Sequence, residues 1–161
     1  GGLAYPAHHW GKVLYEANTE QVVWDFVHEW LRKAEGDLRA AEYLLALEQE
    51  DYFVTAFHAQ QAAEKFLKAF LVRHQIPFPK THDLGFLLEL AARADPSLQE
   101  ELASAPMLTP FGVESRYPGG MVVDQETARR ALQEAHRVKA AVQRRLQAYL
   151  AQGRPPDREP S

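Results

Sequence analysis

Three long stretches of this chain set their apolar residues three and four positions apart, and nowhere is there a convincing alternation at two. That spacing restricts the fold to amphipathic helices packed on one another. The first stretch runs through Val23, Phe26, Val27, Trp30, Ala34, Leu38, Ala41, Leu44 and Leu45. Asn18 or Thr19 can cap it, and Asn18 with Gln21 resembles a capping box. The second starts after Asp51 as its cap and carries Phe53, Ala56, Ala63, Phe66, Leu67, Phe70 and Leu71 before Pro77 and Pro79 close it. A shorter helix with Thr81 as cap follows through Leu84, Leu87, Leu88, Leu90 and Ala91, and Pro96 opens a further turn to about Ser104. The segment from Pro106 to Gly120 reads as a loop. Asp124 caps the last long helix, on which Ala131, Leu132, Ala135, Val138, Val142, Leu146, Tyr149 and Leu150 repeat. Only Met121-Val122-Val123 hints at extended chain. The expectation is an all-α, antiparallel up-down bundle of four to five helices over residues 20–151, with an N-terminal arm (1–19) and a disordered tail (152–161).

Composition narrows the chemistry. The chain has no cysteine, so disulfides, thiol nucleophiles and the usual structural zinc sites are excluded. No window has the roughly 18 uncharged apolar residues of a membrane span, and no basic start leads into an apolar segment, so the expected address is cytoplasmic, away from membranes. No metal site and no cofactor are implied.

A net charge of -4 would argue against phosphate ligands if it were spread evenly. It is not. Residues 20–51 hold nine acids against three bases, whereas residues 52–82 hold one against four. Residues 83–113 return to five acids against one base, and 114–150 carry seven bases against four acids. Packing the two basic stretches side by side would give an acidic protein a local anion site.

Three features fall in those basic stretches. On the second helix, His58, Gln61, Lys65 and Lys68 lie within roughly 80° of one another, opposite the apolar face, and form a stripe of donors with Glu64 beside it. Any amphipathic helix turns polar residues to water, so the stripe alone does not define a site. In the loop Pro77–Leu84, Lys80 and His82 flank the cap Thr81, near free amides where an anion is favoured. In the loop 111–120, Arg116 offers a planar fork and Tyr117 an aromatic face.

Taken together, the runs Ala34-x-x-Asp37-Leu38-x-x-Ala41, Ala56-Phe57-His58-Ala59-Gln60-Gln61-Ala62-Ala63-Glu64-Lys65-Phe66-Leu67-Lys68-Ala69, Lys80-Thr81-His82-Asp83-Leu84 and Ser115-Arg116-Tyr117-Pro118 resemble, in order and spacing, the HEPN family, named for a nucleotide-binding domain of higher eukaryotes and prokaryotes. The resemblance covers about residues 22–150. It implies a helical bundle, commonly a homodimer, often encoded beside a minimal nucleotidyltransferase in a toxin-antitoxin-like pair. The Lys-Thr-His-Asp and Arg-Tyr-Pro motifs are similar to the branch that binds a nucleotide or serves as partner subunit. On this reading His58, Lys65, Lys68, Lys80, His82, Arg116 and Tyr117 form a nucleotide site, with no catalytic residue.

The alternative is a metal-independent endoribonuclease that acts on RNA as a dimer, whose family signature is an Arg followed after four to six residues by His. Arg129 and Arg130 precede His136 at such spacings. With twelve Arg and seven His in 161 residues, about two such matches arise by chance. Arg130 also lies about 120° around the helix from His136, which does not bring the pair to one point. Trp24, Trp30 and several Phe on the helix seams suggest a surplus that dimerisation would cover.

Overall fold

The computed structural model describes residues 19–112 and 120–157. Among these residues are five α-helices: α1 (Thr19–Leu45), α2 (Phe53–Arg73), α3 (Leu84–Ala91), α4 (Pro96–Glu101) and α5 (Gln125–Ala151), with a 3-10 helix over Ala105–Gly112. This is the all-α antiparallel bundle that the periodicity implies, and no strand occurs among the described residues. The Met121–Val123 segment is irregular. Its Val123 amide donates to the Asp51 carboxylate (3.0 Å) and its carbonyl accepts from the Tyr52 amide (2.8 Å), so both backbone groups are satisfied without a partner strand.

Helix α1 buries Val23, Val27, Trp30, Ala34, Leu38 and Ala41 along one face, and α5 buries Ala131, Ala135, Val138, Val142 and Leu146. Helix α2 is different, because buried residues occur all round it. It packs against α1, α5, α3 and the 3-10 helix and forms the centre of the molecule. Its small residues Ala56, Ala59, Ala62, Ala63 and Ala69 are fully buried, which lets neighbouring helices approach closely while keeping helix propensity high. Trp24 and Trp30, which suggested a surplus for a second copy to cover, are buried within the single chain at 9% and 4% exposure. Trp24 rests near Tyr149 and Trp30 near Phe78.

The caps locate the loops. Asp124 accepts from the Thr127 amide at 2.7 Å, as its position before α5 implies. The α3 cap is Asp83, which accepts from the Phe86 amide at 3.1 Å; Thr81 instead accepts from the Asp83 amide. The cap shifts because α3 begins at Leu84, three residues after Thr81. Asp51 accepts from the first amide of α2 (Phe53, 3.0 Å), although Tyr52 holds the cap position. Asn18 lies outside the described residues. Of the segment following α5, Arg154 pairs with Asp25, and Gln21 donates to the Pro155 carbonyl and the Asp157 carboxylate.

Candidate functional site

Two clusters of polar side chains are built along α2. In the first, Glu64 is 3% exposed, and its carboxylate accepts from three donors: Lys68 Nζ (2.8 Å), His82 Nδ1 (2.7 Å) and Gln60 Nε2 (3.2 Å). Lys68, four residues on from Glu64, is 2% exposed. Its ammonium lies 5.4 Å from the Trp30 ring centroid and 5.7 Å from that of Phe78. A carboxylate and two ring faces therefore surround a cation that has left water.

This corrects the sequence reading of one solvent-facing stripe. Lys68 is interior, because Trp30 of α1 and Phe78 of the loop after α2 pack beside its ammonium. A helical wheel drawn for α2 alone contains neither.

Gln60 ties this cluster to two loops. It is fully buried, and its carboxamide donates to Glu64 and to the His82 carbonyl (3.2 Å) while accepting from Gln61 Nε2 (2.7 Å). Gly112, the last residue of the 3-10 helix, lies so near that a Cβ there would fall 2.7 Å from the Gln60 carboxamide carbon and nitrogen. Glycine is needed here for close approach. Immediately after it comes the segment with Arg116 and Tyr117, both of which lie outside the described residues.

In the second cluster, Asp37 of α1 accepts from His58 Nδ1 at 2.9 Å and Lys65 Nζ at 2.5 Å. His58 and Lys65 stand seven residues apart on one face of α2, so one carboxylate can reach both. Burial would raise the Asp37 carboxyl, but hydrogen bonds from His58 and Lys65, with their positive charge, hold it below the ordinary aspartate value.

Of the residues singled out by sequence, the structure brings together His58 with Lys65 through Asp37, and Lys68 with His82 through Glu64. Lys80 is exposed two residues before His82 and makes no ion pair among the described residues. His82 keeps half of its side chain exposed, and with Nδ1 engaged its Nε2 is the ring atom left for a ligand. Gln60 and the anchoring part of Asp37 were missed. The Ala-rich surroundings of Gln60 and the i,i+4 spacing of Glu64 and Lys68 were the available signals. Arg129 and Arg130 each pair with Glu126, and His136 pairs with Glu42 of α1, so the Arg–His spacing on α5 does not form a cluster. Among the described residues no group of three His, Asp or Glu is placed to hold a metal, and no helix is long and apolar enough to cross a membrane.

A helical bundle whose central helix joins two carboxylate–histidine pairs, Glu64 with His82 and Asp37 with His58, is the class of protein this fold and site define. The HEPN domain model matches residues 27–145, and the chain belongs to that family, whose helical domains are of nucleotide-binding or ribonuclease type. The crystal structure of TT1696 from Thermus thermophilus is similar, with a TM-score of 0.63 and 29% sequence identity over 74% of this chain and 98% of that one. No curated protein matches.

Proposed function

We propose that this protein binds a nucleotide, free or held by a minimal nucleotidyltransferase partner in a toxin-antitoxin-like pair, on the face of α2 that presents His58, Gln61 and Lys65, together with His82 of the loop that folds back onto it. The observation that carries the reading is His82: a half-exposed imidazole fixed through Nδ1 on a buried carboxylate, two residues from the Lys80 ammonium, which has no ion-pair partner among the described residues. With Nδ1–H fixed on the carboxylate, the imidazolium form of His82 presents Nε2–H as a donor to a phosphate oxygen at little further ordering cost. Lys80 adds charge, and Arg116 and Tyr117, which lie outside the described residues, are assigned a phosphate fork and a base-stacking face on the strength of their motif. Lys68 supports the site through Glu64 and does not touch the ligand.

Calorimetric titration with AMP, ATP and GTP tests this. Binding of at least one nucleotide is expected, weakened about tenfold or more by Lys80→Ala and by Arg116→Ala. Affinity indifferent to both substitutions would remove the site. The exposed apolar side chains Tyr43, Leu47, Val54, Met121 and Val122 favour a homodimer, for which light scattering should give twice the 18.3 kDa chain mass.

The endoribonuclease alternative draws on the same Glu64–His82 pair, since a carboxylate-oriented imidazole is also the arrangement of a general base. Cleavage of RNA by the purified protein, lost in His82→Ala, would favour it over simple binding.

A further inference from the structure

Arg73, the last residue of α2, lies thirteen residues beyond Gln60, roughly 20 Å along the helix axis and well away from the site above. Here the start of α1 and the ends of α2 and α5 surround a cleft of about 410 Å³. That volume falls within the range of small-molecule sites, roughly 300–1,000 Å³.

The Arg73 guanidinium stacks on Tyr149, 4.3 Å from the ring centroid, and has no carboxylate partner among the described residues. The nearby acids are occupied elsewhere. Asp25 takes both hydrogen bonds of Arg154, at 3.0 and 3.1 Å, and Asp157 accepts from Gln21. A partly buried guanidinium that faces the cleft and has no ion-pair partner among the described residues, although Glu20 also lines that cleft, offers its donor fork to an oxyanion. The Tyr149 hydroxyl is shifted upward by burial, against the opposing charge of Arg73, so it remains a neutral hydrogen-bonding group.

Gln75 adds a second polar group and an oddity of backbone. It has a φ of +55°, where glycine or asparagine is usual, and its amide donates to the Val72 carbonyl at 3.0 Å as α2 ends. Holding an unbranched L-residue there costs roughly 1 kcal/mol, and the position puts a carboxamide on the cleft wall. Val23 and Pro155 supply apolar wall.

The charge of the anion is limited by its surroundings. Two helix C-termini, those of α2 and α5, end at this cleft and present the negative ends of their dipoles, Glu20 also lines it, and the second guanidinium on its wall, Arg154, is neutralised by Asp25. These disfavour a phosphate dianion and tolerate a single charge paired with Arg73. We infer that this cleft is a second ligand site, for a small molecule that joins one carboxylate to a planar or apolar body. The carboxylate meets Arg73, the body lies against Val23 and Pro155, and Gln75 and Gln152 hydrogen-bond its remaining polar groups.

The inference stands apart from the nucleotide reading and is tested on the full chain with benzoate and phenyl phosphate as probes. In amide NMR spectra, millimolar benzoate should shift Gln75, Gln152 and Gly153, and Arg73→Gln should weaken that binding at least tenfold while leaving AMP affinity unchanged. Arg73→Lys, which keeps the charge and loses the planar fork, should fall between and serves if Arg73→Gln does not fold. No benzoate-dependent shift, or one that persists undiminished in both variants, overturns the site. Tighter binding of phenyl phosphate than of benzoate overturns its preference for a carboxylate.

Discussion

Helix α2 carries two clusters made from the same parts in different surroundings. Each joins one carboxylate to a histidine Nδ1 and a lysine Nζ: Glu64 with His82 and Lys68, and Asp37 with His58 and Lys65. In the first, carboxylate and ammonium are 3% and 2% exposed; in the second, 14% and 20%. Near water the attraction is moderated by solvent and the cluster contributes modestly. In the interior both ions have lost hydration, so the arrangement holds only while both of them are present. The deep cluster is thus a structural unit that ends in a half-exposed imidazole, whereas the shallow one is an adjustable contact between α1 and α2.

The largest expected effect separates the two directly. Lys68→Ala leaves Glu64 buried without its cation and removes the contacts with Trp30 and Phe78, which should cost about 3–5 kcal/mol. Lys65→Ala should cost about 1 kcal/mol or less. Replacing both ions, as Glu64→Leu with Lys68→Met, should restore much of the loss, because the desolvation penalty disappears with the pair. Urea denaturation of the three variants measures this. Equal losses for the two lysines would break the comparison.

The contrast also explains what was legible in the sequence. The helices α1 and α5 turn one side to the core, so their apolar spacing located both helices and most of their buried residues, though not Trp24, Ala128 or Ala141. Helix α2 is enclosed by several neighbours, and periodicity assumes a single wet face. Lys68 and Lys65 look equivalent on a wheel, since each is a lysine near the same polar edge. What separates them is Phe78 and Trp30, residues distant in sequence that cover only one of the two. His82 was singled out by its motif, but its anchor on Glu64 was not legible, since nothing in the spacing of residues 64 and 82 shows that the loop folds back onto α2. The α3 cap was displaced for a local reason: Thr81 and Asp83 both suit a cap, and only the starting residue of the helix decides between them.

A second test concerns the packing that locks the deep cluster. Gly112→Ala would place a methyl 2.7 Å from the Gln60 carboxamide, which has no free space to retreat into because it bonds Glu64, His82 and Gln61. A cost of about 1–3 kcal/mol is expected. Adding Gln60→Ala to Gly112→Ala should relieve the clash, so the double variant should be less unstable than the sum of the two single changes. Strict additivity would show that Gln60 does not couple the 3-10 helix to the cluster. No comparable lock surrounds Asp37 among the described residues, and the shallow cluster should show no such coupling.

The shallow cluster should reveal itself through pH. Because the folded-state pKa of Asp37 lies below its ordinary value of 3.8, its contribution is fully present above that value and is lost as pH falls through the lower, folded-state pKa. Asp37→Asn should therefore destabilise the protein by about 1 kcal/mol at neutral pH. The gap from the parent protein should narrow as the solution is acidified below 3.8. A gap that stays constant through that range would mean that the Asp37 charge adds nothing to the contact.

The smallest effect on stability, and the finest test of the comparison, lies in the two histidines. His82→Gln and His58→Gln each change a side chain with solvent access, and each should alter stability by about 0.5 kcal/mol. Their effects on nucleotide affinity should differ. His82 is held by a carboxylate that cannot move without disturbing Lys68 and Gln60, so its Nε2 is already in position before a ligand arrives. His58 is held by Asp37, which is partly solvated and shared with Lys65, so more of its freedom must be lost on binding. Calorimetric titration should therefore show a loss of about tenfold for His82→Gln, and a smaller one for His58→Gln. If the two losses were equal, the burial of the anchoring carboxylate would have no bearing on recognition, and the deep cluster would serve stability alone.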